Sequence, residues 1–148
     1  MFGAFYDEKL DLIYLIGGAN SHTYEKINWV SSFCLQSQKW EFLPNLNANR
    51  MGPGCVKMSE WLYVFGDEQN SCERFDTTAG DRPWEILFLD IPQQLKYGGL
   101  MILQNSGPDD TFFIFGGGEN IFSYQNEKLE KCGPETQYDN FYSQPVYF

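Results

Sequence analysis

Short apolar runs alternate with polar or glycine-rich breaks along most of the chain. Three of these runs end in glycine and cover residues 12–16, 62–65 and 112–115. Each run is four or five residues long and rich in β-formers, which is typical of a strand buried on both faces and followed by a permissive turn. Glycine, asparagine, proline and aspartate interrupt the chain too often for a long helix, so we predict an all-β protein.

The glycine-terminated runs recur at a nearly constant interval. Their first glycines are Gly17, Gly66 and Gly116, which lie 49 and 50 residues apart. A fixed period of about 20 to 50 residues indicates a repeat architecture. The second run ends in Gly66-Asp67 instead of a glycine pair, and aspartate tolerates left-handed backbone geometry better than most residues.

Two further strands are predicted after each glycine, and one before each run. The first unit has alternating segments around Phe33 and Trp40, and aligning Trp40 with Leu129 of the third unit places Phe33 on Phe122. Alternating segments separated by a polar turn are typical of antiparallel hairpins. The strands before the runs are predicted at residues 2–6, 54–58 and 99–103, each with a polar turn behind it.

Each unit therefore contains four short antiparallel strands, which is the composition of a β-propeller blade. The three units are predicted at about residues 2–44, 50–90 and 97–132, with an aromatic C-terminal tail at 133–148. Since propellers normally have four to eight blades, about three blades predict an incomplete or half propeller.

The same positions resemble the kelch repeat. The pattern of that family is an apolar strand with an aromatic residue, a Gly-Gly pair, an aromatic strand, a tryptophan, and an arginine followed by glycine. The matching positions are Tyr14, Gly17, Gly18, Trp40, Arg50 and Gly52, then Tyr63, Gly66, Phe75, Asp76 and Trp84, then Phe113, Gly116, Gly117 and Tyr124. Leu129 stands where the third tryptophan belongs, and the second unit has no clear counterpart of Arg50. The resemblance covers about residues 2 to 132 and implies a kelch-type propeller.

A structural role is expected for each of these matched residues. The glycines allow a tight turn and the close approach of a neighbouring backbone. The aromatic residues are expected to fill the space between blades with buried rings. They are Tyr14, Trp40, Tyr63, Trp84 and Phe113. Arg50 is expected to reach main-chain carbonyls or an acidic side chain across a blade contact.

Composition and charge narrow the classes of partner. Ten basic against twenty acidic side chains give a net charge of −10, which argues against nucleic acid or an anionic membrane as the main partner. No signal peptide and no apolar run near the roughly 20 residues of a membrane span is apparent. We expect a cytoplasmic location, or one within a cytoskeletal or other large assembly. Four widely spaced cysteines are expected to be reduced thiols.

Residues for catalysis or metal binding are scarce in the sequence. His22 is the only histidine and lies in a polar loop, so neither the copper site of kelch-like oxidases nor a histidine-dependent triad is expected. The neighbouring carboxylates Asp7-Glu8 and Asp109-Asp110 are typical of turns. We predict a protein that is not an enzyme and that has neither a cofactor nor a metal.

Two segments have the composition of a binding surface. The long connection at 17–29 contains Tyr24 and Trp29, and loops on rigid blades commonly carry recognition. The tail carries five aromatic candidates for partner binding, which are Tyr138, Phe141, Tyr142, Tyr147 and Phe148. The tail either packs as a strand within its own propeller or docks onto another chain.

Three blades leave the two terminal blade faces uncovered. Each face measures about 300 Å², from four strands of about five residues. A second copy could close a six-bladed ring, another protein could cover the faces, or the chain is a piece of a longer propeller. We expect a non-enzymatic interaction or scaffold module in a larger assembly. The alternatives are a substrate-recognition propeller of the ubiquitin-ligase adaptor type and a kelch-like propeller enzyme.

Overall fold

The fold consists of short antiparallel strands. The computed structural model describes residues 2–66, 71–89, 101–105, 111–115 and 121–132. These segments contain twelve strands and no helix, which confirms the all-β prediction for the described part of the chain. The strands are β1 Gly3–Asp7, β2 Leu12–Ile16, β3 Val30–Cys34, β4 Lys39–Leu43, β5 Gly54–Met58, β6 Trp61–Phe65, β7 Cys72–Asp76, β8 Glu85–Leu87, β9 Met101–Asn105, β10 Thr111–Phe115, β11 Ile121–Gln125 and β12 Lys128–Cys132.

The strands form three four-stranded antiparallel sheets in which sequence neighbours are also spatial neighbours. Sheet 1 contains β1 to β4, sheet 2 contains β5 to β8, and sheet 3 contains β9 to β12. The hairpin predicted at 54–58 with a turn at Ser59-Glu60 is confirmed, since β5 ends at Met58 and β6 begins at Trp61. The turn predicted between residues 105 and 110 lies outside the described residues.

The strand register places the two tryptophans at equivalent positions. Ile13 and Leu62 each lie four residues before the first glycine of their unit, and they pair with Phe33 and Phe75. Trp40 lies opposite Phe33 in sheet 1. In sheet 2, Arg74 pairs with Glu85, so the residue before Glu85, Trp84, lies opposite Phe75. The tryptophan positions of the two sheets therefore coincide.

The third sheet corrects one predicted alignment. Leu129 does occupy the tryptophan position, but it pairs with Tyr124, not with Phe122. Phe33 therefore corresponds to Tyr124. The predicted match of Phe33 with Phe122 is wrong because the turn after β3 spans 35–38, whereas the turn after β11 is only two residues long.

Sheet 2 lies between the other two sheets and is buried on both faces. One face forms a core with sheet 3, made by Val56, Tyr63, Phe65, Cys72, Phe112, Ile114, Phe122 and Tyr124. The opposite face forms a core with sheet 1, made by Tyr14, Ile16, Val30, Leu46, Leu62, Val64, Phe75 and Trp84. Sheets 1 and 3 each contribute one face to these cores, and their remaining faces point away from sheet 2.

The first strands of the three sheets are also neighbours, because β5 contacts both β1 and β9. Between β1 and β5, the buried carboxylate of Asp7 forms an ion pair with the ammonium group of Lys57. The same carboxylate accepts backbone hydrogen bonds from Lys9 at 3.0 Å and from Leu10 at 3.2 Å. Asp7 therefore stabilises both the β1–β2 turn and the contact between sheets 1 and 2.

A buried hydroxyl in sheet 3 leads to a first prediction. Tyr124 is 1% exposed, and its hydroxyl has no hydrogen-bond partner in the described part of the chain. Sheets 1 and 2 carry Phe33 and Phe75 at this position. Burying an unpaired hydroxyl costs about 1–3 kcal/mol, so Tyr124→Phe should raise the free energy of unfolding by about 1 kcal/mol. Urea unfolding measures this change, and a loss of stability would contradict it.

Candidate interaction surface

Sheet 1 presents a face on which no described element packs, and we call it the outer face of sheet 1. Because side chains alternate across a strand, it contains every second residue of β1 to β4. These are Ala4, Tyr6, Ile13, Leu15, Ser31, Phe33, Trp40 and Phe42. None is charged, although the chain has a net charge of −10. Six of the eight are large apolar or aromatic residues.

Three aromatic side chains on this face are strongly exposed to solvent. Phe42 is 82% exposed, Trp40 is 57% exposed and Tyr6 is 49% exposed. A contiguous apolar patch of several hundred Å² on a water-soluble surface marks a site of interaction. The outer face of sheet 1, at about 300 Å², reaches that range from one sheet alone.

A Phe–Trp pair shows how such a face is buried elsewhere in the same molecule. On the outer face of sheet 1, the rings of Phe33 and Trp40 have centroids 4.9 Å apart. In sheet 2, Phe75 and Trp84 stack with centroids 5.2 Å apart, and Trp84 is only 3% exposed. Sheet 1 and the segment after it cover this second pair, and the indole of Trp84 donates a hydrogen bond to the Pro44 carbonyl at 2.8 Å.

The expected burial of the Trp40 ring is therefore wrong for this structure. The ring of Trp84 is buried by the preceding sheet, and no described sheet precedes sheet 1. The expectation agrees with the structure for Tyr14 at 3% and Tyr63 at 6% exposure. Phe113 is half-buried.

Arg50 lies in the segment between sheets 1 and 2 and is fully buried. Its guanidinium donates to the carbonyl of Gly66 at 2.7 Å and to the carbonyl and hydroxyl of Ser71 at 3.1 Å each. It also donates twice to one carboxylate oxygen of Glu73, at 3.0 and 3.1 Å. The prediction that Arg50 reaches carbonyls or an acidic group is confirmed in both of its alternatives.

Glu73 completes this network and was not singled out from the sequence. Its carboxylate is buried and also accepts hydrogen bonds from the backbone of Asn47 at 2.6 Å and of Ala48 at 3.3 Å. The sequence gives little signal for this role, because three of the five residues of β7 are charged. Because these donors hold both carboxylate oxygens and Arg50 holds one of them, the network fixes the linker between sheets and presents no free group for catalysis.

The glycine turn of sheet 1 is built against this linker. Gly17 has φ of 60°, and a Cβ atom there would lie 2.5 Å from the Arg50 carbonyl oxygen. The same oxygen accepts a hydrogen bond from the amide of Gly18 at 2.7 Å. Gly66 also has a positive φ, of 94°. Both predicted reasons for glycine, turn geometry and close approach, apply here, and Gly116 and Gly117 lie outside the described residues.

The long β2–β3 loop displays the two predicted partner-binding aromatics. Tyr24 is 81% exposed and Trp29 is 61% exposed. The loop is held by its own hydrogen bonds, among them Ile27 N to the Gly18 carbonyl at 3.0 Å and His22 N to the Asn20 side chain at 2.8 Å. Tyr24 and Trp29 are therefore presented on an ordered frame. His22 is exposed, as expected for a loop histidine.

Burial sets the protonation of the groups near these contacts. Burial, with smaller contributions from Asp7 and Glu41, raises the pKa of Tyr14 to about 12. Burial likewise raises the pKa of the Cys55 thiol to about 12. All four cysteines are free thiols, as expected. Both Tyr14 and Cys55 are therefore neutral near pH 7.

The remaining features concern metal binding, membrane insertion and the C-terminal tail. Among the residues of the described segments, no group of three His, Cys, Asp or Glu side chains is placed to hold a metal ion. Across the same segments there is no helix that is long and apolar enough to cross a membrane. The candidate residues of the tail, from Tyr138 to Phe148, lie outside the described residues.

Comparisons with known proteins do not assign the chain to a family. A scan against protein-family models finds no match, and a search of curated proteins finds no match. The outer face of sheet 1 and the β2–β3 loop are therefore the features from which function is inferred.

Proposed function

We propose that the chain is a non-enzymatic kelch-type interaction module that is completed by another protein chain in a larger assembly. The observation that carries this proposal is the uncharged outer face of sheet 1, where Trp40 is 57% exposed and its counterpart Trp84 is 3% exposed. The three four-stranded sheets and their glycine period support their interpretation as blades of an incomplete propeller.

The energetic argument concerns Trp40. Tryptophan in a well-packed, desolvated contact is a typical interface hot spot, whose truncation costs about 2 kcal/mol or more. An exposed indole already held against Phe33 loses little side-chain freedom on binding, so a partner gains its burial at low entropic cost. The ordered loop with Tyr24 and Trp29 supports a second contact of the same kind.

The proposal is tested on the tagged full chain in fresh lysate of its native cells, by size-exclusion chromatography. We expect the wild-type chain to elute well above its own mass of 17.2 kDa. Trp40→Lys should shift it towards that mass, because a charge on the outer face of sheet 1 cannot be buried without a partner charge.

Asp81→Lys is the control, since Asp81 is exposed and lies in the connection between β7 and β8 of sheet 2. It should elute like the wild type. Elution of the wild-type chain at its own mass, or an equal shift by both variants, would contradict an interaction through the outer face of sheet 1.

A further inference from the structure

Sheet 3 has a face on which no described element packs, and we call it the free face of sheet 3. It is formed on β10 to β12 by the residues that alternate with the core residues Phe112, Ile114, Phe122 and Tyr124. In the order of the sheets along the chain, the free face of sheet 3 is the face that a following sheet would cover. The outer face of sheet 1 is the face that a preceding sheet would cover.

On β10 to β12, six of the nine positions of the free face of sheet 3 resemble their counterparts on the face of sheet 1 that sheet 2 covers. The exceptions are Thr111, Gln125 and Cys132, which stand where sheet 1 has Leu12, Cys34 and Leu43. The apolar positions Phe113, Phe115 and Ile121 correspond to Tyr14, Ile16 and Val30, and Ser123 corresponds to Ser32. The last strands agree as well, since Lys128 and Glu130 correspond to Lys39 and Glu41. In sheet 1, Tyr14, Ile16, Val30 and Ser32 are buried on the side of sheet 2, which carries a Phe–Trp pair, whereas Lys39 and Glu41 are exposed.

The outer face of sheet 1 matches the face of sheet 2 that receives this packing. The corresponding positions are Ile13 and Leu62, Leu15 and Val64, Phe33 and Phe75, and Trp40 and Trp84. The two open faces therefore repeat the two partners of the observed contact between sheets 1 and 2.

The outer face of sheet 1 differs from the matching face of sheet 2 at the position of the buried carboxylate. Ser31 stands at the position of Glu73. Ser31 pairs with Leu15 and Glu73 pairs with Val64, and each of these partners lies two residues before the first glycine of its unit. Glu73 is buried with the help of Arg50. The sequence after β12, residues 133–148, contains neither arginine nor lysine. The neutral serine avoids a buried carboxylate without a counter-charge, which would cost several kcal/mol.

We propose that a second copy of this chain covers the outer face of sheet 1 with its free face of sheet 3, so that two chains close a six-sheet ring head to tail. This inference rests on the proposed function and names the partner. In a two-fold arrangement, each copy covers the open faces of the other, so that both open faces of both copies are buried. Its two contacts cover four faces of about 300 Å², or about 1,200 Å² in total, which is the lower limit of a specific interface.

The first test measures the mass of the purified chain alone by sedimentation velocity, from about 1 to 50 µM at about 0.15 M salt. We expect twice the chain mass of 17.2 kDa at the upper concentrations. Trp40→Lys should raise the dissociation constant at least tenfold, while Asp81→Lys, in the β7–β8 connection of sheet 2, should leave it unchanged. Circular dichroism establishes that both variants are folded.

The second test establishes that the contact runs head to tail. Phe113→Ser damages the free face of sheet 3, and Trp40→Lys damages the outer face of sheet 1. In a mixture of the two variants, one contact of the mixed dimer combines both damaged faces and the other contact is fully wild type. The mixture should therefore form dimers more tightly than either variant alone. If Phe113→Ser does not fold, Phe115→Ser on the same face takes its place.

Three results would overturn the second-copy proposal. They are a monomeric wild-type chain at 50 µM, variants whose mixture is no tighter than each alone, and open-ended oligomers larger than a dimer. A wild-type chain that is monomeric when pure but large in lysate rejects the second copy alone. A wild-type chain that is monomeric in both rejects the proposed function too.

Discussion

Arg50→Ala is expected to lower the free energy of unfolding by about 3–5 kcal/mol, which is the usual cost of removing one partner from a buried ion pair. Without the guanidinium, the fully buried Glu73 carboxylate keeps only amide donors from Asn47 and Ala48. The carbonyls of Gly66 and Ser71 each lose their hydrogen bond from Arg50. Chemical denaturation with urea, followed by circular dichroism, measures the change.

The control for this loss is a cation with more exposed partners. Arg74 is 21% exposed and pairs with the carboxylates of Glu85 and Glu127, which are 52% and 65% exposed. Exposed pairs contribute about 0–1 kcal/mol, so Arg74→Ala should cost far less than Arg50→Ala. The double variant Arg50→Met/Glu73→Gln should lose less free energy of unfolding than the sum of the losses of Arg50→Met and Glu73→Gln, because no charge is then left unpaired. Equal losses for Arg50→Ala and Arg74→Ala would contradict a structural role for the buried pair.

The two equivalent tryptophans should differ sharply in their contribution to the stability of a lone chain. Trp84→Ala is expected to cost about 3–5 kcal/mol, since it empties a ring-sized space between sheets 1 and 2. It also removes the hydrogen bond to the Pro44 carbonyl. Trp40→Ala should cost about 1 kcal/mol or less, because Trp40 is more than half exposed and its ring contact is with Phe33 of the same sheet.

Urea unfolding at submicromolar concentration compares the two variants in the absence of association. Losses of equal size would mean that the ring of Trp40 is buried within its own chain. A small loss for Trp40→Ala that grows as the protein concentration is raised would instead link this side chain to association.

The strands and turns were predictable because their signals are local. The strand at residues 54–58, the turn at Ser59-Glu60 and the glycine at 17 each depend on residues close in sequence. The equivalence of Trp40 and Trp84 followed from the resemblance to the kelch pattern and not from spacing, and the strand register agrees with it. The sequence also predicted two uncovered terminal faces, but it assigned no residues to the outer face of sheet 1.

Contacts between sheets were harder to predict, because they depend on which face has a neighbour. The sequence placed Trp40 and Trp84 in one class, yet among the described sheets only that of Trp84 has another sheet before it to cover the ring. The partner of Arg50 is Glu73, 23 residues further along, and no spacing rule selects that residue. Likewise, no spacing rule selects Lys57, 50 residues away, as the ion-pair partner of Asp7.

The proposal that another chain covers the outer face of sheet 1 is tested most directly by oxidative footprinting of two tryptophans. The tagged chain is oxidised in its assembled form, as recovered gently from cells, and again as a purified chain diluted below its association range. We expect Trp84 to be protected in both states, and Trp40 to be oxidised at least several-fold more slowly in the assembly. Equal oxidation of Trp40 in the two states would contradict the proposed function.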